Sequence, residues 1–158
     1  MQSKIISNET IFAYHFVHDC FYYLNKTINE ATGNVIVLPH NYHYYNAIDT
    51  LFINGVPITQ NNLVIDGNGS TINGSNLARI FQVTGSNITF KNINFVNGNA
   101  GTGHGGAIFF QSNSNNNNLI NCNFTNNHGD WGGAIIFYSD SNNNTLENGT
   151  CSKHDGWS

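Results

Sequence analysis

Residues 102–110 read TGHGGAIFF, and residues 129–137 read GDWGGAIIF. The two copies place Ala107 and Ala134 each after a Gly-Gly pair. The same interval recurs outward from them. SNNNNLINCNFTNNHGDW (114–131) aligns with SNNNTLENGTCSKHDGW (141–157), which sets Leu146 against Leu119. Upstream, NITFKNINFVNGN (87–99) aligns Phe95 with Phe124, an interval only slightly longer. A near-constant period in the range of roughly 20 to 50 residues marks a repeat architecture.

Element length decides which one. Helical repeats of this size need amphipathic runs of ten or more residues. Beyond residue 50 the chain offers only short apolar runs between Asn, Gly and Ser clusters. Short strands joined by turn chemistry at a fixed period predict a parallel β-solenoid, with like strands stacked about 4.8 Å apart. In that arrangement Gly-Gly supplies a tight turn. AIFF and AIIF are then the same strand on consecutive coils, with Ile108 over Ile135 and Phe110 over Phe137. Asn92, Asn121 and Asn148 recur at nearly the same interval, each after a strand-like run. Asn tolerates the left-handed backbone of a sharp corner, so these three predict an asparagine ladder. Ile93, Phe95, Cys122 and Phe124 then point inward.

Positions 1–60 have a different texture and read as an N-terminal cap; positions 61–158 read as a solenoid of three to four coils. In FVHDCFYYLNKTINEATG, Phe21, Leu24 and Ile28 recur at helical spacing, with Asp19 placed to cap the start and Gly33 the end. NVIVLP (34–39) reads as a lead-in strand stopped by Pro39, and LFINGVPITQ (51–60) as an Asn-Gly turn before a proline.

Composition narrows the function classes. Of 158 residues, 9% are charged, against about 25% in an average globular protein. Yet 39% are hydrophobic and 13% aromatic. Such a chain buries a core and presents an uncharged polar surface. Five Lys plus Arg and a formal net charge of −4 argue against a nucleic-acid partner. No apolar run is long enough for a transmembrane segment. The N-terminus carries no signal-peptide pattern. Cys20, Cys122 and Cys151 do not make a complete disulfide framework and read as small thiols.

GGAIFF and GGAIIF, together with NFVN (94–97) and NFTN (123–126), resemble the GGA[ILV] and FxxN repeats of chlamydial polymorphic outer-membrane proteins. The chain from about residue 20 to 158 is similar to the adhesin-like surface proteins of methanogenic archaea, with their helix-then-strand lead-in. That resemblance implies a right-handed parallel β-helix, export, and an extracellular or cell-surface adhesive role. The expected partners are glycans or host or microbial surface proteins. The chain departs from the family in lacking a signal peptide, a surface anchor and a C-terminal cap. It is therefore expected to be a fragment, with an uncapped last coil able to self-associate.

The rival reading is a β-helix carbohydrate-active enzyme, a polysaccharide lyase or glycosidase. Two carboxylates about 5–10 Å apart would serve glycoside hydrolysis. Asp66, Asp130, Asp140, Glu147 and Asp155 are available, with Asp130 and Asp155 near one turn of adjacent coils. Arg79, Lys91 and Lys153 are the body's only basic residues, and the GHG at 103–105 belongs to the glycine-rich lead to GGA. His104, His128 and His154 lie along one edge if the coils register and, with Asp130 and Asp155, have the chemistry of metal ligands. Their spacing matches no zinc pattern, and they read as turn residues. HFVHD (15–19) and HNYH (40–43) read the same way. DGNGS (66–70) resembles a calcium loop, but Thr71 and Leu77 stand where that loop needs Gly and Glu; Asp66 is expected to cap an Asx turn. NYHYYN (41–46) and Trp131 supply aromatic surface of the kind that docks sugars. Asn87 and Asn123 begin N-x-T sequons. No residue is assigned a catalytic or metal-binding role, no cofactor is expected, and the ligand is left open.

Overall fold

The computed structural model describes residues 18–157, with side chains described as far as His154. It is a parallel β-solenoid entered through one short helix. The part of HFVHD before His18 lies outside the described residues.

Helix α1 (Phe21–Asn29) buries Phe21, Leu24 and Ile28, the face its periodicity sets. Its cap differs from expectation. The backbone N–H groups of Phe21 and Tyr22 donate to the two oxygens of Asp49, at 3.1 and 2.9 Å. Asp49 is fully buried and also accepts from Tyr45 N–H. A carboxylate far along the chain thus satisfies the helix start, while Asp19 lies 3.2 Å from His40. The helix ends at Asn29, before Gly33.

Three parallel sheets form the body. The first contains β1 (Val35–Val37), β4 (Leu63–Asp66), β7 (Ile88–Lys91), β10 (Asn118–Ile120) and β14 (Thr145–Glu147). The second contains β2 (Tyr42–His43), β5 (Thr71–Asn73), β8 (Asn94–Val96), β11 (Asn123–Thr125) and β15 (Thr150–Ser152). The third contains β3 (Val56–Ile58), β6 (Phe81–Val83), β9 (Ile108–Phe110) and β13 (Ile135–Phe137). A two-stranded strip, β12 (His128–Trp131) with β16 (Asp155–Trp157), adjoins them. The sheets begin at Val35, so positions 35–58 already wind one coil; Pro57 is tolerated because β3 is an edge strand.

The doubled nonapeptide is one strand on two coils: Ile135 pairs with Ile108 and Phe137 with Phe110. The two glycines of each pair act differently. Gly105 and Gly132 adopt φ of +58° and +60°. Gly106 is needed for space, since a Cβ there would overlap the carbonyl oxygens of Gly133 and His128.

Alternate residues of the strands β1 to β11 enter a phenylalanine-rich core, while β13 is only partly covered and β14 and β15 are exposed. Phe95 and Phe124 stack with centroids 4.9 Å apart, Phe110 and Phe137 at 4.7 Å, and Phe81 and Phe90 at 5.1 Å. Ile93, Phe95, Cys122 and Phe124 are fully buried, as the corner reading requires. Burial contributes roughly 2–3 kcal/mol per ring. It also pushes the Cys122 thiol up to about 11. Several in-register outward pairs are amide and hydroxyl groups. Asn123 Nδ2 donates to Asn94 Oδ1 at 2.9 Å, and Thr150 Oγ1 donates to Asn123 Oδ1 at 2.7 Å.

Candidate functional site

The turns between strands are of two kinds. The tight ones are made by asparagine: of fifteen non-glycine residues with positive φ among those described, twelve are Asn. Asn92, Asn121 and Asn148 take φ of 55°, 52° and 52°. The ladder they predict is present in part and begins with a different residue type. Asn121 Nδ2 donates to Asn92 Oδ1 at 3.3 Å, and Asn92 Nδ2 donates to Asp66 Oδ1 at 3.0 Å. Two more columns accompany it. In one, Asn126 donates to Asn97 at 2.7 Å and Asn97 to Asn73 at 3.2 Å. In the other, Asn62, Asn87, Asn116 and Asn143 are all left-handed, with bonds from Asn87 to Asn62 and from Asn143 to Asn116. Inside the coil, buried Asn117 and Asn127 accept from the N–H groups of Ile88 and Gly98 on the preceding coil, at 2.9 and 2.8 Å.

Asp66 heads its column and closes the expected Asx turn, accepting from Asn68 N–H at 2.9 Å. Lys91 lies 3.0 Å from its other oxygen. Partial burial raises the carboxyl's pKa, but the bonds from Asn92, Asn68 and Lys91 outweigh it and hold the group below the usual carboxylate range. The full ligation of Asp66 by its own neighbours explains why DGNGS is a turn.

The third corner is built from longer segments that join the second sheet to the third: 44–55, 74–80, 97–107 and 126–134. They carry exposed apolar side chains, among them Ile48, Leu51, Ile53, Leu77 and Trp131. Here His104 bridges to Trp131 and Asn99 to His128, while His128 pairs with Asp155. The three histidines therefore do not share one column. His154 instead occupies the position of Asn127 one coil on, and its Nδ1 accepts from Asn127 N–H at 3.2 Å. No group of three or more His, Cys, Asp or Glu residues able to hold a metal ion exists among the described residues. Asp130 likewise falls out of register with Asp155.

What this corner does assemble is an aromatic shelf. The His104 ring lies 5.5 Å from Phe109, 5.2 Å from Tyr138 and 6.4 Å from Trp131. Phe109 and Tyr138 meet edge to face at 5.8 Å. Trp131 is 61% exposed and Tyr138 43%. Beneath them Arg79 is buried, with its guanidinium 5.2 Å from the Phe109 centroid. It donates to the carbonyls of His104, Gly105 and Asn54, at 2.9, 3.0 and 2.9 Å. Among the described residues no carboxylate pairs with it. Burial lowers its pKa from the ordinary arginine value. Arg79 thus ties the loop of one coil to that of another and fixes the shelf from below. Gly103, of the GHG, lies against this guanidinium, and Gly105 makes the left-handed turn.

Of these residues only Trp131 stands out in the sequence as aromatic surface. The Tyr cluster at 41–46 is used otherwise: Tyr42 and Tyr44 are buried, Tyr42 beside Thr27 and Tyr44 against Phe21. Phe109 and Tyr138 could have been found from the alternation of IFF and IIFY, which sends them to the opposite face from Phe110 and Phe137.

A second concavity, of about 520 Å³, lies over the last coil, lined by Gly132, Gly133, Ala134, Ile135, Phe137, Leu146, Cys151 and His154. It borders the last coil of the described residues, where the side chains are less covered. Leu146 pairs in register with Leu119, yet is 46% exposed where Leu119 is fully buried.

Comparison with known protein families, curated proteins and solved structures gave no match. No helix among the described residues is long and apolar enough to cross a membrane.

Proposed function

We propose that this solenoid is a non-catalytic, adhesin-like binding protein of the extracellular space or cell surface, contacting glycans or surface proteins. The observation that carries the reading is the contrast on its surface: faces of stacked, uncharged amides and hydroxyls, interrupted at one corner by exposed aromatic rings. Repeated weak hydrogen-bonding groups at a fixed spacing suit a polymer of repeating units, with affinity built by multivalency. The repeat resemblance to archaeal adhesin-like proteins supports the same reading as an analogy, since fold alone does not fix function. Self-association through the exposed Leu146 side of the last described coil is a second partner within it. Sedimentation over a range of concentrations tests that partner, with a monomer at all concentrations counting against it.

A broad glycan and surface-protein binding screen on the whole chain tests the main reading. Saturable binding that survives Asp130→Asn and Asp155→Asn is expected. Cleavage of a polysaccharide that both substitutions abolish would replace the adhesin with the enzyme.

A further inference from the structure

We infer that the shelf of Trp131, His104 and Tyr138 is a stacking subsite for an uncharged pyranose ring, the point at which the proposed glycan-binding surface grips its ligand. This rests on the glycan reading and gives it an address.

Four observations converge. First, Trp131 is the most exposed aromatic side chain on the described surface, and it stands beside a second exposed ring, Tyr138, on the other side of His104. Solvent-exposed indole is an expensive way to cover a turn. An aromatic face carries negative charge density at its centre, which complements the weakly positive C–H bonds on one face of a pyranose.

Second, His104 Nδ1 is buried within the cluster without a hydrogen-bond partner. An unpartnered buried nitrogen destabilises the free protein. A half-turn of the ring toward the surface, with a sugar hydroxyl as partner, removes that penalty.

Third, the charge distribution selects the ligand. The uncompensated Arg79 guanidinium already occupies a face of Phe109, so a cationic ligand such as a quaternary ammonium meets a cation beneath the shelf. A stacked nucleobase would bring phosphates, and a chain with five Lys plus Arg has no track for them.

Fourth, the shelf is held in place. Arg79 bonds the His104 and Gly105 carbonyls from below, and His104 pairs with the Trp131 strand. A preorganised site loses less freedom on binding. The exposed rings are few and are flanked by Gly101 and Thr102 of the loop, also exposed. A sugar ring can rest on these rings alone, whereas a protein interface, about 800 Å² from each partner, would have to extend over the exposed Ile48, Leu51, Ile53 and Leu77 of the same corner.

The test uses the full chain carrying Trp157→Phe, so that Trp131 is the only tryptophan. Neutral hexaoligosaccharides of glucose, mannose, xylose and N-acetylglucosamine are titrated while indole fluorescence is followed. At least one is expected to shift the emission saturably and to protect Trp131 from N-bromosuccinimide oxidation. Trp131→Ala and Tyr138→Ala should each weaken binding at least tenfold by calorimetry, with an unchanged far-UV dichroism spectrum, while Lys26→Ala on helix α1 leaves it intact. If an oligosaccharide binds but neither shelf variant weakens it, the subsite is wrong and the glycan reading stands. If no glycan binds by any measure, both fall. Tight binding of tetramethylammonium, or of a surface protein, at Trp131 in place of sugar would also overturn the assignment.

Discussion

The tight asparagine corners and the long-loop corner turn the same chain to different ends. At Asn92 and Asn121 a single residue takes the left-handed conformation, and its amide bonds its counterpart on the neighbouring coil. Conformation, hydrogen bonding and repeat are satisfied together, and nothing is left over for a ligand. At 97–107 and 126–134 the chain opens on the same kind of left-handed asparagine, Asn97 and Asn126, but then travels farther, turns again at Gly105 and Gly132, and leaves Trp131 in solvent and an imidazole nitrogen of His104 unpartnered. The first kind of corner maximises local consistency; the second departs from it, and such departures concentrate at functional sites. On the proposed reading, the uniform part of the repeat supplies stability and the irregular part supplies contact.

That division has measurable consequences. The largest concerns the glycine on which the long-loop corner depends. Gly106→Ala should lower unfolding free energy by about 3 kcal/mol, because its methyl overlaps backbone rather than a side chain that can move aside. Chemical denaturation measures it; a neutral result would mean the corner is plastic, and the shelf above it no longer preorganised. Next comes the ladder. Asn121→Ala should cost about 2 kcal/mol, from holding alanine, which lacks asparagine's tolerance of it, in the left-handed conformation and from removing the bond to Asn92. Asn121→Gly keeps the turn and loses only the bond, so it should cost about half as much. Equal losses in the two variants would show that the side-chain ladder carries the whole effect.

A smaller effect is set by pH. The Asp66 carboxyl is held below its ordinary pKa by Asn92, Asn68 and Lys91 against the opposing pull of burial. Its contribution is therefore complete above the unfolded carboxylate value, about 3.9, and is lost as pH falls through the lower folded value. Asp66→Asn should flatten the acid limb of the stability profile below about pH 4 and leave the limb above it parallel to wild type. The smallest expected change in stability is at the shelf. Trp131→Ala should alter it by no more than about 0.5 kcal/mol, since the ring is mostly exposed. A loss of about 2 kcal/mol there would make Trp131 structural and erase the contrast between the corners.

The legible parts of the fold were those repeated in sequence. Gly105-Gly106-Ala107 and Gly132-Gly133-Ala134 set the register of β9 and β13 to the residue. Phe95 and Phe124, shortly past a corner asparagine, marked the inward face. Phe21, Leu24 and Ile28 marked the buried side of the helix. What escaped was tertiary. Asp49 caps α1 from a distant loop, and no local pattern announces a long-range cap. The aligned histidines failed because their own intervals, 128 − 104 = 24 and 154 − 128 = 26, fall short of the 27 residues that separate partners on these coils, so His104 lies beside Trp131, His128 beside Asp155 and His154 beside Asn127. The shelf itself needs residues from three coils. Coil length varies there as elsewhere: in the first sheet Leu63 pairs with Ile88, Thr89 with Asn118 and Asn118 with Thr145, three unequal intervals. Trp131 was visible alone, but its neighbours Phe109, Tyr138 and Arg79 come together only once that variation is resolved in space.

The most direct test of the account is disulfide trapping of the coil register. Thr89 and Asn118 are paired on adjacent coils of the first sheet, and the spacing of stacked strands, about 4.8 Å, lies within disulfide reach. Thr89→Cys with Asn118→Cys, in a Cys151→Ser background, should oxidise readily to an intramolecular disulfide, while Thr89→Cys with Ile120→Cys, out of register, should not. A readily formed disulfide in the offset pair, or none in the aligned pair, would contradict the parallel in-register stacking on which the ladders and the shelf both depend.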